Sequence, residues 1–253
     1  MSTYVNINTI DNKSLAIIEF YNPKGNSLPS YMLDELIDKL KLADKDENVK
    51  VILIKSKGEK AFCAGASFDE LLEIDDYDIA LKFFSGFANL INTIRKLSKF
   101  VIVEVQSKVI GGGVGLVAAC DYSYATVEAS IKLSELSLGI GPFVIAPAVQ
   151  RKIGVAAMSE LTINAEDWRS ATWAHDRGLF YSLSADKEIM QQESNALIER
   201  LTKYSAEAMI EVKLSLWEGT SNWDETLIEN AKKSAKLVLS KYTKSKLEEF
   251  KKK

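Results

Sequence analysis

Histidine occurs once in this chain, at position 175, and cysteine twice, at positions 63 and 120. Two thiols are too few for a disulfide framework and have no metal-ligand spacing, so they read as buried reduced thiols of a cytoplasmic protein. Ser–His or Cys–His catalysis would have to run through His175, which lies in the helical stretch WRSATWAHDRGLF and reads as a surface or packing residue. There are four prolines, no linker rich in Pro, Gly or Ser, and no internal repeat. A net charge of -3 gives no electrostatic case for nucleic acid or an acidic membrane. The longest apolar runs, such as Val109–Cys120, fall short of the roughly 20 residues that span a bilayer. The opening MSTYVNINTIDN lacks the charged-then-apolar pattern of a signal peptide. Carboxylates and backbone groups are left to carry any chemistry.

What is present is an ordinary soluble composition, 47% hydrophobic and 26% charged over 253 residues, enough to bury a sizeable core. TYVNINTI and SLAIIEF alternate as strands around the turn DNK. Ser30 is placed to cap a helix whose Leu33, Leu36, Ile37 and Leu40 share one face. Val49–Ser56 and KFVIVEVQ read as strands buried on both sides. Between them, residues Ala80, Phe83, Phe84, Phe87, Leu90, Ile91, Ile94 and Leu97 keep helical spacing and form a core stripe. Strand–helix alternation implies α/β organisation. The last 70 or so residues change character. Asp186–Lys203 and Asp224–Phe250 read as helices, the second with Leu227, Ile228, Ala231, Ala235, Val238, Leu239 and Tyr242 on one stripe. One domain results, with a core over residues 1–185 and a helical region over 186–253.

Two glycine-bearing loops bear on function. KVIGGGVGLVAAC contains Gly113-x-Gly115-x-x-Ala118, a G-x-G-x-x-A match after a strand with Glu135 about twenty residues on, which suggests a dinucleotide fingerprint. Against it, several strands and helices precede the match, and a second small-residue loop, EKAFCAGASFDE, is left without a role. The other reading uses both loops. Ala64, Gly65 and Ala66 in one, and Gly111 to Gly113 in the other, bare peptide N–H groups that together form an oxyanion hole, strengthened by the helix N-termini that follow.

The stretches NPKGNSLP, EKAFCAGASFDEL, KVIGGGVGLVAACDYSYAT, SIKLSELSLGIGP, VQRKIG and WRSATWAHDRGLF, in this order and spacing, resemble the crotonase (enoyl-CoA hydratase/isomerase) superfamily over nearly the whole chain. The resemblance implies a ββα spiral with a helical C-terminal region that builds trimers or hexamers and covers the active site. It implies an acyl-CoA substrate with no metal and no cofactor beyond that CoA. It assigns the thioester oxygen to the amides of Ala64 and Gly112. The substrate-binding positions it implies are Lys24 and Lys60 for the CoA phosphates or adenine, the Phe62–Phe68 loop with Gly65 and Ala66, and Gly111 and Pro142.

Hydratases of this family carry two catalytic glutamates. The first position here is Gly115 and the second is Glu135; Ser67 replaces a common aspartate, with Asp69 and Glu70 nearby. Read on its own residues, an extended segment puts Leu133, Glu135 and Ser137 on one face near Leu136 and Leu138, where desolvation raises a carboxyl pKa. VEVQSKVIGGGVGLVAACD and LSELSLGIGP are most similar to the branch acting on 3-methylglutaconyl and 3-hydroxy-3-methylglutaryl thioesters, where Gly also stands at the first position. The expectation is a methylglutaconyl-CoA hydratase-like lyase of leucine degradation, with a Δ3,Δ2-enoyl-CoA isomerase or a non-catalytic acyl-CoA or acyl-carrier-protein scaffold as alternatives.

Overall fold

The computed structural model describes residues 2–10 and 14–251; the expected turn at 11–13 lies outside them. β1 (Tyr4–Ile10) and β2 (Leu15–Tyr21) form an antiparallel pair with Tyr4 opposite Tyr21. After α1 (Ser30–Lys45), the chain repeats one unit three times, and in each a long strand is followed by a three-residue strand. The first is β3 (Val51–Ser56) and β4 (Ala61–Cys63), then α2 (Phe68–Glu73) and α3 (Tyr77–Lys96). The second is β5 (Phe100–Val105), β6 (Lys108–Ile110) and α4 (Gly112–Ala119). The third is β7 (Tyr122–Thr126), β8 (Ser130–Lys132), a 3₁₀ turn over Glu135–Leu138, and α5 (Ala146–Ile163), which is broken at Gly154. β9 (Arg169–Ser170), α6 (Ala171–Asp176) and β10 (Ser182–Ser184) complete the sheets.

The long strands join one sheet in the order β1-β2-β3-β5-β7-β10, parallel beyond the first pair, and the short ones another in the order β4-β6-β8-β9. This is the ββα spiral the sequence implies. Its consequence is positional. β4, β6 and β8 are parallel neighbours, about 4.8 Å apart as any paired strands are, so the three loops that leave their carboxyl ends emerge side by side. Clefts at such ends are where open parallel sheets bind ligands.

One apolar layer fills the space between the sheets and α1, α3 and α4, with Phe20, Met32, Leu36, Ile91 and Val103 fully buried. The opposite face of the large sheet is covered by α7 (Lys187–Leu201) and α8 (Ala206–Leu216) through Met190, Ile198 and Met209. α8 escapes the sequence reading because a polar anchor docks it. Lys213, 1% exposed, donates to Asp121 at 2.8 Å and to the Lys99 carbonyl at 2.7 Å, and Trp217 Nε1 donates to the other Asp121 oxygen at 2.9 Å. The expected single helix over 224–250 is two, α9 (Trp223–Val238) and α10 (Lys241–Lys251), because the chain turns at Ser240, whose hydroxyl caps the new helix at Thr243 N. The turn takes Tyr242 off the buried stripe, and it is largely exposed, while Leu227, Ala231, Ala235 and Val238 are buried. Ser30 is the first residue of α1 rather than its cap; its N–H and hydroxyl both donate to Glu70 of α2.

Candidate active site

The three side-by-side loops enclose a cavity of about 170 Å³ with a mostly apolar wall. The β4 loop contributes Ala64 to Phe68, the β6 loop Gly111 and Gly112, and the β8 loop Ser134 and Glu135. Phe83, Phe84 and Phe87 of α3, together with Ile140, Val144 and Ile145, supply most of the remaining surface. Gly65, Ala66, Phe68, Gly111 and Pro142, expected at the ligand, all line it.

Ala64 also borders the cavity, but its N–H donates to the Gly25 carbonyl at 3.0 Å and is not free for a ligand. Gly65, with φ +85°, turns the chain over, and its own N–H faces Cys63 Sγ at 3.4 Å. Ala66 is therefore the next amide open to the cavity. In the bridge between Leu28 and Ala66 the bond runs from Leu28 N–H to the Gly65 carbonyl, so Ala66 N–H has no acceptor among the described residues. Gly112 begins α4, and its N–H is one of the orphaned first-turn donors. An ideal Cβ on Gly65 would stand 3.2 Å from Gly112 N, which shows how closely the two loops approach. The pair of free donors is thus Ala66 and Gly112, not Ala64 and Gly112.

Glu135 opens the 3₁₀ turn and is not on an extended segment. The turn swings Leu136 out, where it is 46% exposed, and keeps Leu138 on the cavity wall. The residue as a whole is half-buried, yet its Oε2 is sealed from solvent and has no hydrogen-bond partner. Burial pushes the carboxyl up to about 7, offset slightly by its own backbone N–H. The carboxyl rests on Gly111, whose φ is +53° and whose ideal Cβ would come within 2.9 Å of Oε1. Any side chain there would displace the acid. α10 braces the same turn, since Thr243 Oγ1 donates to the Gly139 carbonyl at 3.1 Å.

The raised carboxyl pKa carries a stability consequence. Between the ordinary carboxylate value near 4.5 and about 7, the folded state holds a proton that the unfolded chain has lost, so stability falls as pH rises through that window. A shift of this size corresponds to about 3 kcal/mol. Glu135→Gln is expected to unfold like the wild type at pH 4 and to be more stable at pH 8, by up to about 3 kcal/mol, in urea titrations at the two pH values.

No other acid replaces the one absent at 115. Among the described residues the cavity wall carries no second carboxylate and no Lys, Arg or His. Asp69 pairs outside the cavity with Lys24, both well exposed, and Glu70 is held by Ser30. A Cβ on Gly115 would lie 2.4 Å from Ile145 Cγ2 and 2.7 Å from Ile145 Cβ, so that isoleucine fills the space a side chain would need. Gly115→Glu is therefore expected to lower thermal stability, by about 1–3 kcal/mol or more, without gaining hydration of crotonyl-CoA.

Three expected ligand positions fall elsewhere. Phe62 is fully buried, edge-on to Phe20 at 5.5 Å, because the register shift in β4 turns it into the core. Lys24 is held by Asp69, and Lys60 is an exposed residue beside a separate surface hollow formed with Tyr21, Asn22 and Gly25. His175 is tied by Nδ1 to the Phe180 carbonyl at 3.0 Å, a packing role. Cys63 lies behind the glycine loops with its thiol pushed up to about 12 by burial, as expected of an inert core thiol. Sequence reasoning missed Ser234 of α9, which reaches the cavity from the C-terminal region. A serine among the alanines and lysines of that helix gives no signal of a cavity.

A family model described as enoyl-CoA hydratase/isomerase matches residues 11–252. The chain belongs to the enoyl-CoA hydratase/isomerase family. It is 28% identical over 196 residues to the "Probable enoyl-CoA hydratase" of Bacillus subtilis (strain 168), covering 77% of this chain and 75% of that one. It is 28% identical over 203 residues to the short-chain-enoyl-CoA hydratase of Clostridium acetobutylicum, covering 79% and 76%. Of three other curated relatives it spans 52%, 38% and 20% of the length. The crystal structure of an enoyl-CoA hydratase from Bacillus halodurans superposes with a TM-score of 0.90 over 97% of this chain and 99% of that chain, at 17% identity, which establishes the shared fold. The G-x-G-x-x-A match is thus the body of α4, which follows a strand of the small sheet, and Glu135 lies against Gly111 just before it rather than at a distant strand end.

Proposed function

We propose that this family member shifts the double bond of a short enoyl-CoA thioester through an enolate, with Glu135 as its only proton carrier. The thioester oxygen sits between the amides of Ala66 and Gly112, at the positive end of α4. Ionised Glu135 takes a proton from C2 of a 3-enoyl group, and the electron pair moves into the enolate. The neutral carboxyl then returns the proton at C4 as the C2–C3 double bond forms. The observation that carries this reading is the sealed, partnerless Oε2 of an acid tuned to about 7 in a cavity whose described wall residues include no other carboxylate and no Lys, Arg or His.

Hydration of 3-methylglutaconyl-CoA is the second reading, and the similarity of VEVQSKVIGGGVGLVAACD and LSELSLGIGP to that branch favours it. One carboxylate balances this reaction as well, taking a proton from water and passing it to C2. Two features weigh the other way. The Ile145 side chain stands where a second acid would hold the water, and the described wall residues include no cation to meet the distal carboxylate. Purified protein is to be assayed with a 3-enoyl-CoA, crotonyl-CoA and 3-methylglutaconyl-CoA. Turnover of the 3-enoyl thioester is the expected result; hydration of 3-methylglutaconyl-CoA alone would replace isomerisation with the hydratase reading.

A further inference from the structure

Ser234 is 1% exposed, yet it lines the cavity from α9, opposite in the chain to every loop that builds the site. A buried helical serine ordinarily turns its hydroxyl back to the carbonyl one turn earlier. Here the Oγ has no hydrogen-bond partner among the described residues. The apolar side chains that share the wall with it, Phe83, Phe84, Leu138 and Ile140 among them, carry no donor or acceptor. Two kinds of polar group therefore face one apolar space: the donors and acid that handle the thioester, and serine hydroxyls the proposed chemistry does not use, of which Ser234 is the one that α9 supplies.

The cavity limits what can meet that hydroxyl. About 170 Å³ is slightly more than a void that holds benzene, which leaves room for roughly six or seven non-hydrogen atoms. A charged tail is disfavoured, because the wall has no cation among the described residues and already carries Glu135. We infer that Ser234 is a specificity-determining residue, whose hydroxyl pairs with an uncharged hydroxyl or carbonyl substituent on a short acyl group. This deepens the proposed function and rests on reading the cavity as the acyl site. A plain alkyl tail leaves the hydroxyl desolvated and unpaired, a difference of about ten- to hundredfold.

The test compares CoA thioesters of five-carbon enoic acids ending in methyl, hydroxymethyl or carboxylate. Each is supplied as the 2-enoyl and the 3-enoyl isomer, with product mass and double-bond position both followed. The wild type is expected to favour hydroxymethyl over methyl by at least tenfold in kcat/KM, with the carboxylate poorest. Ser234→Ala is expected to bring the first ratio to about one, with the loss falling on the hydroxylated thioester, and Ser234→Thr to restore part of it. Turnover with a flat wild-type ratio, or a ratio that Ser234→Ala leaves unchanged, overturns this inference alone. No turnover of any of the thioesters by the wild type overturns the proposed function and this inference together.

Discussion

Glu135→Gln is expected to lose turnover of enoyl-CoA by about 10²–10⁴-fold while still binding the thioester. The amide keeps the size of the carboxyl and its place on Gly111, so the cavity and the two free amides of Ala66 and Gly112 persist. What disappears is the one carboxylate that the described residues place in the wall. Stopped turnover with retained ligand affinity, measured by calorimetry and a continuous assay on the same preparation, is the signature. It also disposes of the scaffold alternative, since a non-catalytic binder has no rate to lose. The same substitution raises stability at pH 8, so lost activity cannot be assigned to unfolding.

Gly65→Ala is expected to damage stability and catalysis together. The residue has φ +85°, a conformation that costs an L side chain about 1–2 kcal/mol. The new Cβ would also stand 2.9 Å from the Ile110 carbonyl oxygen and 3.2 Å from Gly112 N. Both obstacles are backbone at the end of β6 and cannot rotate away as a side chain tip would. Relief requires the β4 and β6 loops to separate, which adds an overpacking cost of about 1–3 kcal/mol. It also spreads the two amides that define the thioester oxygen site, and a displacement near 1 Å costs on the order of 10²-fold in rate. A lowered melting temperature with a fall in kcat beyond that of Gly154→Ala is the expected pattern. Gly154 also has positive φ but no atom within 4 Å of its ideal Cβ, so it shows the effect of backbone strain without the clash.

The α/β organisation was legible in the periods of the longer strands and helices, while the ββα spiral was implied by the family resemblance and not by any period. The place of Glu135 at the cavity was legible through the family resemblance that LSELSLGIGP carries, although the expected extended segment is a 3₁₀ turn. The reading missed what depends on chain direction. Gly65 reverses the backbone between Ala64 and Ala66, and nothing in CAGAS says which amide stays free. The register shift that sends Phe62 into the core is equally invisible, since an aromatic just before a small-residue loop fits a ligand wall as well as a core. Ile145 and Ser234 reach the cavity only through tertiary packing of α5 and α9, so neither local pattern marks them. α8 was hidden because a buried lysine, rather than an apolar stripe, docks it.

The dependence of kcat/KM on pH for a 3-enoyl-CoA tests the central claim most directly. With one buried acid acting as base, the rate is predicted to rise tenfold per pH unit below about 7 and to level off above it. A rate already level at pH 5.5, or a second ionisation bending the profile down near neutrality, would contradict the single-carboxylate account.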